Sequence, residues 1–329
     1  MKRFLACLLA ASLSLTWLSQ GALAATEPAT AAAYVAKEAK VTILSTMLAD
    51  EGIGEWGFAA LVEVDGHKVL FDTGARPETV LRNAEEMKID LSQITDVVLS
   101  HFHDDHAGGL LTLRRALSAK NPQALSRLHV GKGIFEVRYE AGKTVNVNQM
   151  IDVRKHYEAG GGTVIVHDGP AMIAPGIWLT GPIKRRYPEH NWSGKLFVPT
   201  AAGLVEDNLA EDMSLMIKSK DGLILLTGCG HAGIANILAQ ARESMGQAPV
   251  NVLIGGLHLY EADDAQLAWT GDQIRKAGVR YLLAGHCTGL EATYRLRALL
   301  GLDRKTAVVA AVGSSYSLAK GIDPLTLAR

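Results

Sequence analysis

Short apolar runs and longer amphipathic stretches alternate along this chain from residue 41 onward. VTILST, FAALVEV and HKVLFDTG are rich in β-branched and aromatic residues and have the length of strands. The last two are separated by Asp65-Gly66, a pair suited to the positive φ angles of a two-residue hairpin turn. RPETVLRNAEEMKI follows with Pro77 near its start, which predicts a helix. ITDVVLS is a buried strand that runs straight into LSHFHDDHAGGL (99–110), and AGGLLTLRRAL continues as a helix.

From about 118 to 200 the periodicity weakens. The segment is rich in glycine, with GGG at 160–162, and holds only short strands, TVIVHD and GIWLTG. An irregular stretch beside a polar turn is a natural source of substrate-binding loops. Order returns in MSLMIKSKDGLILLTGCGH, a second hairpin turned at Asp221-Gly222. GIANILAQARESM (helix), NVLIGGLHL (strand), DAQLAWTGDQIRKAG (helix), RYLLAGHCTG (strand) and EATYRLRALLG (helix) then alternate. No internal repeat or interdomain linker interrupts them. Strand pairs early and alternation late predict one α/β domain over 41–329, a sandwich of two mixed sheets flanked by helices.

Composition adds limits. The 329 residues are 48% hydrophobic and 20% charged with a net charge of −1, an ordinary globular balance without the basic excess of a nucleic-acid or anionic-membrane binder. The first 24 residues stand apart. MKRFLACLLAASLSLTWLSQGALA has a basic start at Lys2 and Arg3, an apolar stretch broken by serines, and the small-residue end Ala22-Leu23-Ala24. That pattern predicts a signal peptide cut after Ala24, export to a periplasm or the medium, and no stable membrane anchor afterwards. Residues 25–40 are alanine-rich and predict a flexible lead-in. Of the three cysteines, Cys7 leaves with the leader, so Cys229 and Cys287 form no disulfide framework. Oligomeric state is not encoded in any of these patterns.

The densest chemistry lies in 99–110. His101 and His103 sit two apart past a strand, so both rings can face one ion, while Asp105 and His106 follow after a turn. One loop can thus offer two nitrogens to one metal and a carboxylate and a nitrogen to a neighbour. Imidazole and carboxylate suit zinc, iron or manganese. His231, His258 and His286 each follow an apolar strand and are flanked by glycine. His231 and His286 are expected ligands; His258 is open between ligand, substrate contact and structural role. Asp72, at a strand end in LFDTG, is expected to orient a ligating imidazole through its second ring nitrogen. Lys184, Arg185 and Arg186 could meet an anionic substrate or form a solvated face.

FDTG (71–74) and the His-x-His-x-Asp-His of His101, His103, Asp105 and His106 resemble the metallo-β-lactamase superfamily. SHFHDDHAGGL, LTGCGHAGIANIL, IGGLHL and GHCTG are most similar to its dihydropterin ribofuranosyl-aminobenzene-phosphate synthase branch, over about 41–313. The resemblance implies an αββα sandwich with a one- or two-metal site, most simply Zn2+, at one sheet edge. His101, His103 and His231 would serve the first metal and Asp105, His106 and His286 the second. Where most members carry a bridging aspartate this chain has Cys229, so a thiolate replaces the carboxylate or the second ion is loosely held. Where the branch is expected to have HGLS, residues 56–59 read WGFA, removing a polar contact. The implied activity is hydrolysis of an ester, lactone, amide or phosphoester of a small molecule, with Asp105 orienting water and His258 protonating the leaving group. The alternatives are a pterin-related transferase or synthase, and a non-catalytic metal or redox sensor using the two thiols.

The leader pattern predicts that the exported protein begins at Ala25. N-terminal mass spectrometry of the periplasmic or secreted fraction checks it, and an intact Met1 there, or retention in the cytoplasm, overturns it.

Overall fold

The structure, a computed structural model, describes residues 34–192 and 194–327. The leader at 1–24 lies outside the described residues, as does the lead-in as far as residue 33. The rest of that lead-in is not loose, as expected, but tied down. Ala36 N–H donates to Lys218 O (2.8 Å), and Tyr34 Oη–H donates to Asp65 Oδ2 (2.8 Å).

The first half of the chain lays down β1 (Ala39–Ser45), β2 (Ala59–Val64), β3 (His67–Phe71), α1 (Thr79–Glu86) and β4 (Asp96–Leu99). After these come α2 (Asp104–Ala107), α3 (Leu110–Ser118), β5 (Arg127–Gly131), β6 (Tyr139–Glu140), α4 (Met150–Ala159) and β7 (Thr163–His167). The second half brings β8 (Ala171–Ala174), β9 (Ile177–Leu179), β10 (Leu196–Thr200), β11 (Gly203–Glu206), β12 (Leu215–Ser219) and β13 (Gly222–Thr227). It ends with α5 (Ile234–Ser244), β14 (Val250–Gly255), α6 (Asp264–Ala277), β15 (Tyr281–Ala284), α7 (Leu290–Leu300), β16 (Ala307–Val309), β17 (Ser315–Ser317) and β18 (Gly321–Asp323).

Among the described residues the strands form an eight-stranded sheet, β18-β17-β1-β2-β3-β4-β5-β7, and a seven-stranded sheet, β16-β15-β14-β13-β12-β9-β8. A small third sheet, β11-β10-β6, stands apart from both. Period-two alternation distributes each strand between two apolar layers. Val41, Val62, Phe71 and Val98 of the first sheet meet Leu215, Ile224, Val252 and Leu283 of the second in the central layer. The opposite faces pack outward: Leu61, Leu70 and Val97 against Val80, Leu113 and Tyr157, and Leu225, Leu253 and Leu282 against Ile237, Ile274 and Leu296. Helix, sheet, sheet and helix are therefore stacked in that order. Strands covered on both faces are largely apolar, which explains the runs Val97–Leu99 in β4, Leu223–Leu226 in β13 and Val252–Ile254 in β14.

The first hairpin turns at Asp65 (φ 46°) and Gly66 (φ 87°), as the pair predicted. In the second, Ser219 pairs with Gly222, so the turn residues are Lys220 and Asp221, one position earlier than expected. The larger correction concerns 118–200. That stretch contains α4, and β7 pairs in parallel with β5 in the main sheet. The sequence of α4 hides its period because only Met150 and Tyr157 are buried. Tyr157 fixes the helix by donating from its hydroxyl to Leu125 O.

At the end of β14, Gly255 has φ 110°, and a Cβ there would lie 2.0 Å from Thr227 O on the paired strand. Gly255→Ala is expected to lower stability by about 3 kcal/mol through backbone strain and overpacking. The shift of the urea midpoint measures it, and an unchanged midpoint would refute the argument.

Candidate metal centre

The carboxyl ends of five strands supply the site. Asp72 follows β3, the histidine run follows β4 and enters α2, Cys229 and His231 follow β13, His258 follows β14, and His286 follows β15. Strands β3 and β4 are parallel, as are β13, β14 and β15, so within each sheet these ends lie on one edge. Open α/β sheets present ligands at such carboxyl ends. Asp72 (φ 56°), His258 (φ 49°) and His286 (φ 49°) all adopt left-handed backbone, the local strain that functional sites concentrate.

Asp72 is fully buried and accepts three hydrogen bonds. Ser100 N–H and Ser100 Oγ–H donate to its two oxygens at 2.7 and 2.8 Å, and His106 Nδ1–H donates to Oδ2 at 2.7 Å. With its proton committed to Asp72, the Ser100 hydroxyl accepts from His101 Nδ1–H at 2.9 Å. One carboxylate thereby fixes the tautomers of two imidazoles and leaves both Nε2 atoms facing the site. The packing requires glycine at 228, where a Cβ would lie 2.1 Å from Ser100 Oγ. His231 is set the same way by a different partner: Nδ1–H donates to Asn191 O at 2.6 Å, leaving Nε2 bare.

These nitrogens converge. His101 Nε2 lies 3.0 Å from His103 Nδ1, and His106 Nε2 lies 3.1 Å from Cys229 Sγ and 3.2 Å from His286 Nε2. His286 Nε2 is also 3.2 Å from Asp105 Oδ2. Asp105, His106, Cys229 and His286 form one candidate ligand group whose donor atoms all lie within 4.8 Å; His101, Cys229 and His231 form a second, and His101, His103 and Asp105 a third. Cys229 joins the first two, the place where a bridging ligand belongs.

The electrostatics suit a cation. Burial holds His101 and His231 well below the ordinary imidazole range and pushes His103 down to about 4, with neighbouring imidazoles reinforcing the shift in each. These rings are neutral and keep a lone pair to give. His106 is the exception: burial opposes its charge, but Asp72 and Asp105 raise it to about 9. Asp105, although burial disfavours its charge, is held well below the carboxylate range by His106 and His286. His231 Nε2 and His286 Nδ1 are buried without any hydrogen-bond partner. The bare Nε2 of His231, among neutral imidazoles, a carboxylate and a thiol, fits one or two divalent cations such as zinc.

The remaining expected residues fall in different places. His258 stands beside His231, ring centroids 4.3 Å apart, with its Nδ1 unpartnered. It also groups with Cys229 and Cys287. Both cysteines are buried free thiols. The basic run has partners within the chain itself. Arg185 is half-buried and donates to the carbonyls of Asn208 and Leu209, and Arg186 forms an ion pair with Glu243 on α5. Lys184 is exposed, and its backbone N–H donates to Gln240. Sequence reasoning missed Ser100, Asn191 and Asp212. Asp212 accepts from Ala232 N–H at 2.6 Å, next to His231, and burial raises it to about 6 despite Arg185. No motif marks these three, although Ser100 adjoins His101.

Three comparisons place this geometry among known proteins. The family described as the metallo-beta-lactamase superfamily matches residues 57–183. The 7,8-dihydropterin-6-methyl-4-(beta-D-ribofuranosyl)-aminobenzene-5'-phosphate synthase of Methanocaldococcus jannaschii is 30% identical over 246 residues, 72% of this chain and 82% of that protein. Among solved structures, Tm1679, a metal-dependent hydrolase of the beta-lactamase superfamily, aligns with a TM-score of 0.67 and 26% identity over 84% of this chain and 98% of its own. YhfI of Bacillus subtilis, a metallo-beta-lactamase fold protein, shares the fold at TM-score 0.55 and 14% identity, covering 85% of this chain and 99% of its own.

Asp72→Asn keeps a residue that tolerates the left-handed backbone but unsettles both tautomers. The variant is expected to fold and to bind metal about 10- to 100-fold more weakly. Chelator competition measures this, and unchanged affinity would show that Asp72 does not orient the ligands.

Proposed function

Since the chain belongs to the metallo-β-lactamase superfamily, we propose that it is a metal-dependent hydrolase of a small-molecule ester, lactone, amide or phosphoester. The observation that carries this is the pair of ligand groups joined at Cys229, with the bare Nε2 of His231 in one and the Nε2 of His286, 3.2 Å from Asp105 Oδ2, in the other. His101, His103 and His231 would hold one cation, and Asp105, His106 and His286 a second, with Cys229 between. Such cations supply Lewis-acid polarisation of the bond to be cleaved and make water acidic enough to attack at neutral pH.

The side chains do the rest. Asp105 stays ionised against its burial and keeps an oxygen to orient the attacking water. His258, on a strained backbone and with a free Nδ1, is placed to give a proton to the leaving group. His101 and His231, held neutral, keep their Nε2 lone pairs for a cation. Export completes the proposal, supported by the leader pattern. A second reading follows the synthase relative: group transfer on a pterin-like substrate, with the same residues holding the metal.

Metal analysis of the purified protein, joined to a panel of ester, lactone, β-lactam and phosphodiester substrates, tests the proposal. Hydrolysis of any class, lost with bound metal in His103→Ala while the fold persists, supports it. Full metal content and turnover in that variant would overturn the ligand assignment. A metal-loaded protein that hydrolyses nothing but transforms a pterin-like substrate would favour the second reading.

A further inference from the structure

Two exposed aromatic rings stand at the rim of the metal centre. Trp56 is 49% and Tyr260 48% exposed, far more than large aromatics usually are. Their centroids are 5.7 Å apart and their planes meet at 82°. Both rings adjoin the site, since Trp56 lies 5.1 Å from the His286 ring and Tyr260 5.4 Å from that of His258.

Neither ring sits on a loose loop. Beside Trp56, the buried Glu55 carboxylate accepts from Ser45 Oγ–H (2.7 Å) and from the backbone N–H groups of Ala75 and Arg76 (both 3.0 Å). Two residues further on, Phe58 N–H donates to Asp105 O at 3.1 Å. Tyr260 N–H donates to Cys287 O at 3.2 Å, and Leu259 N–H to the same carbonyl at 3.0 Å. Each aromatic is therefore braced to a segment that carries candidate ligands. An anchored backbone that keeps an apolar ring in water points to a ligand as the ring's partner.

The near-perpendicular planes narrow what that ligand is. A flat ring stacked on one face presents its edge to the other ring, and both contacts match the aromatic quadrupole. A saturated group of the same skeleton fills the corner but gains neither. We propose that Trp56 and Tyr260 are specificity-determining residues that recognise a planar aromatic or heteroaromatic ring next to the bond cleaved. This deepens the hydrolase reading and takes its site from it.

The test uses the metal-loaded full chain and two probes with one carboxylate head and one skeleton, naphthalene-1-carboxylate and its fully saturated decalin counterpart. Isothermal titration is expected to show the flat probe bound roughly three- to tenfold more tightly. Trp56→Leu and Tyr260→Leu should each reduce that preference, with decalin-carboxylate affinity and metal content unchanged. Equal affinities, no binding of the flat probe, or a preference that survives both substitutions overturns the inference. So does an equal loss for both probes, which would mark the rings as general apolar cover. Turnover on the substrate panel is scored separately. Ring discrimination without hydrolysis removes the hydrolase reading alone, and hydrolysis indifferent to ring saturation removes this inference alone.

Discussion

A buried carboxylate can only accept hydrogen bonds, and the fully buried Asp72 accepts from three donors. The direction of every proton around it follows. Ser100 must give its hydroxyl hydrogen to Asp72, so it must take one from His101; His106 must give its Nδ1 hydrogen directly. Two rings on one loop are thus oriented by a residue on the neighbouring strand. Without that constraint the imidazoles could turn, and the convergence of nitrogens on Cys229 and His286 would have no fixed geometry.

The sandwich makes the constraint possible. Asp72 and the histidine run come from one sheet, and Cys229, His231 and His286 from the other, with the central apolar layer holding the two edges together. Burial then acts twice. It excludes the water that would compete for the ring nitrogens, and it keeps His101, His103 and His231 neutral. The cost of burying a bare polar atom is visible at His231 Nε2, which a cation would satisfy.

Legibility in the sequence follows the range of the interactions. The layered α/β fold could be read because strand alternation and helix spacing are local signals. The histidine run could be read because its members share one loop, and Asp72, His231 and His286 because each ends an apolar strand. Asn191 could not, since it acts through a backbone carbonyl that any residue would supply. Nor could the partners of the basic run be read, because charge does not name them: Arg185 meets the carbonyls of Asn208 and Leu209, and Arg186 meets Glu243. Helix α4 was hidden by its own exposure, and the Trp56–Tyr260 corner by the folding that brings two distant loops together.

The meeting of the two sheets also sets an order of events. His106 and His286 are 180 positions apart, yet their Nε2 atoms end 3.2 Å from each other. Contacts of such long range form late, after loop closure has been overcome. A partly folded chain therefore offers an arriving ion only the local histidine loop, and the complete ligand sets exist only once both sheets have closed. Any metal taken by the full ligand sets would therefore enter after the two sheets have met, so its uptake would follow folding rather than guide it.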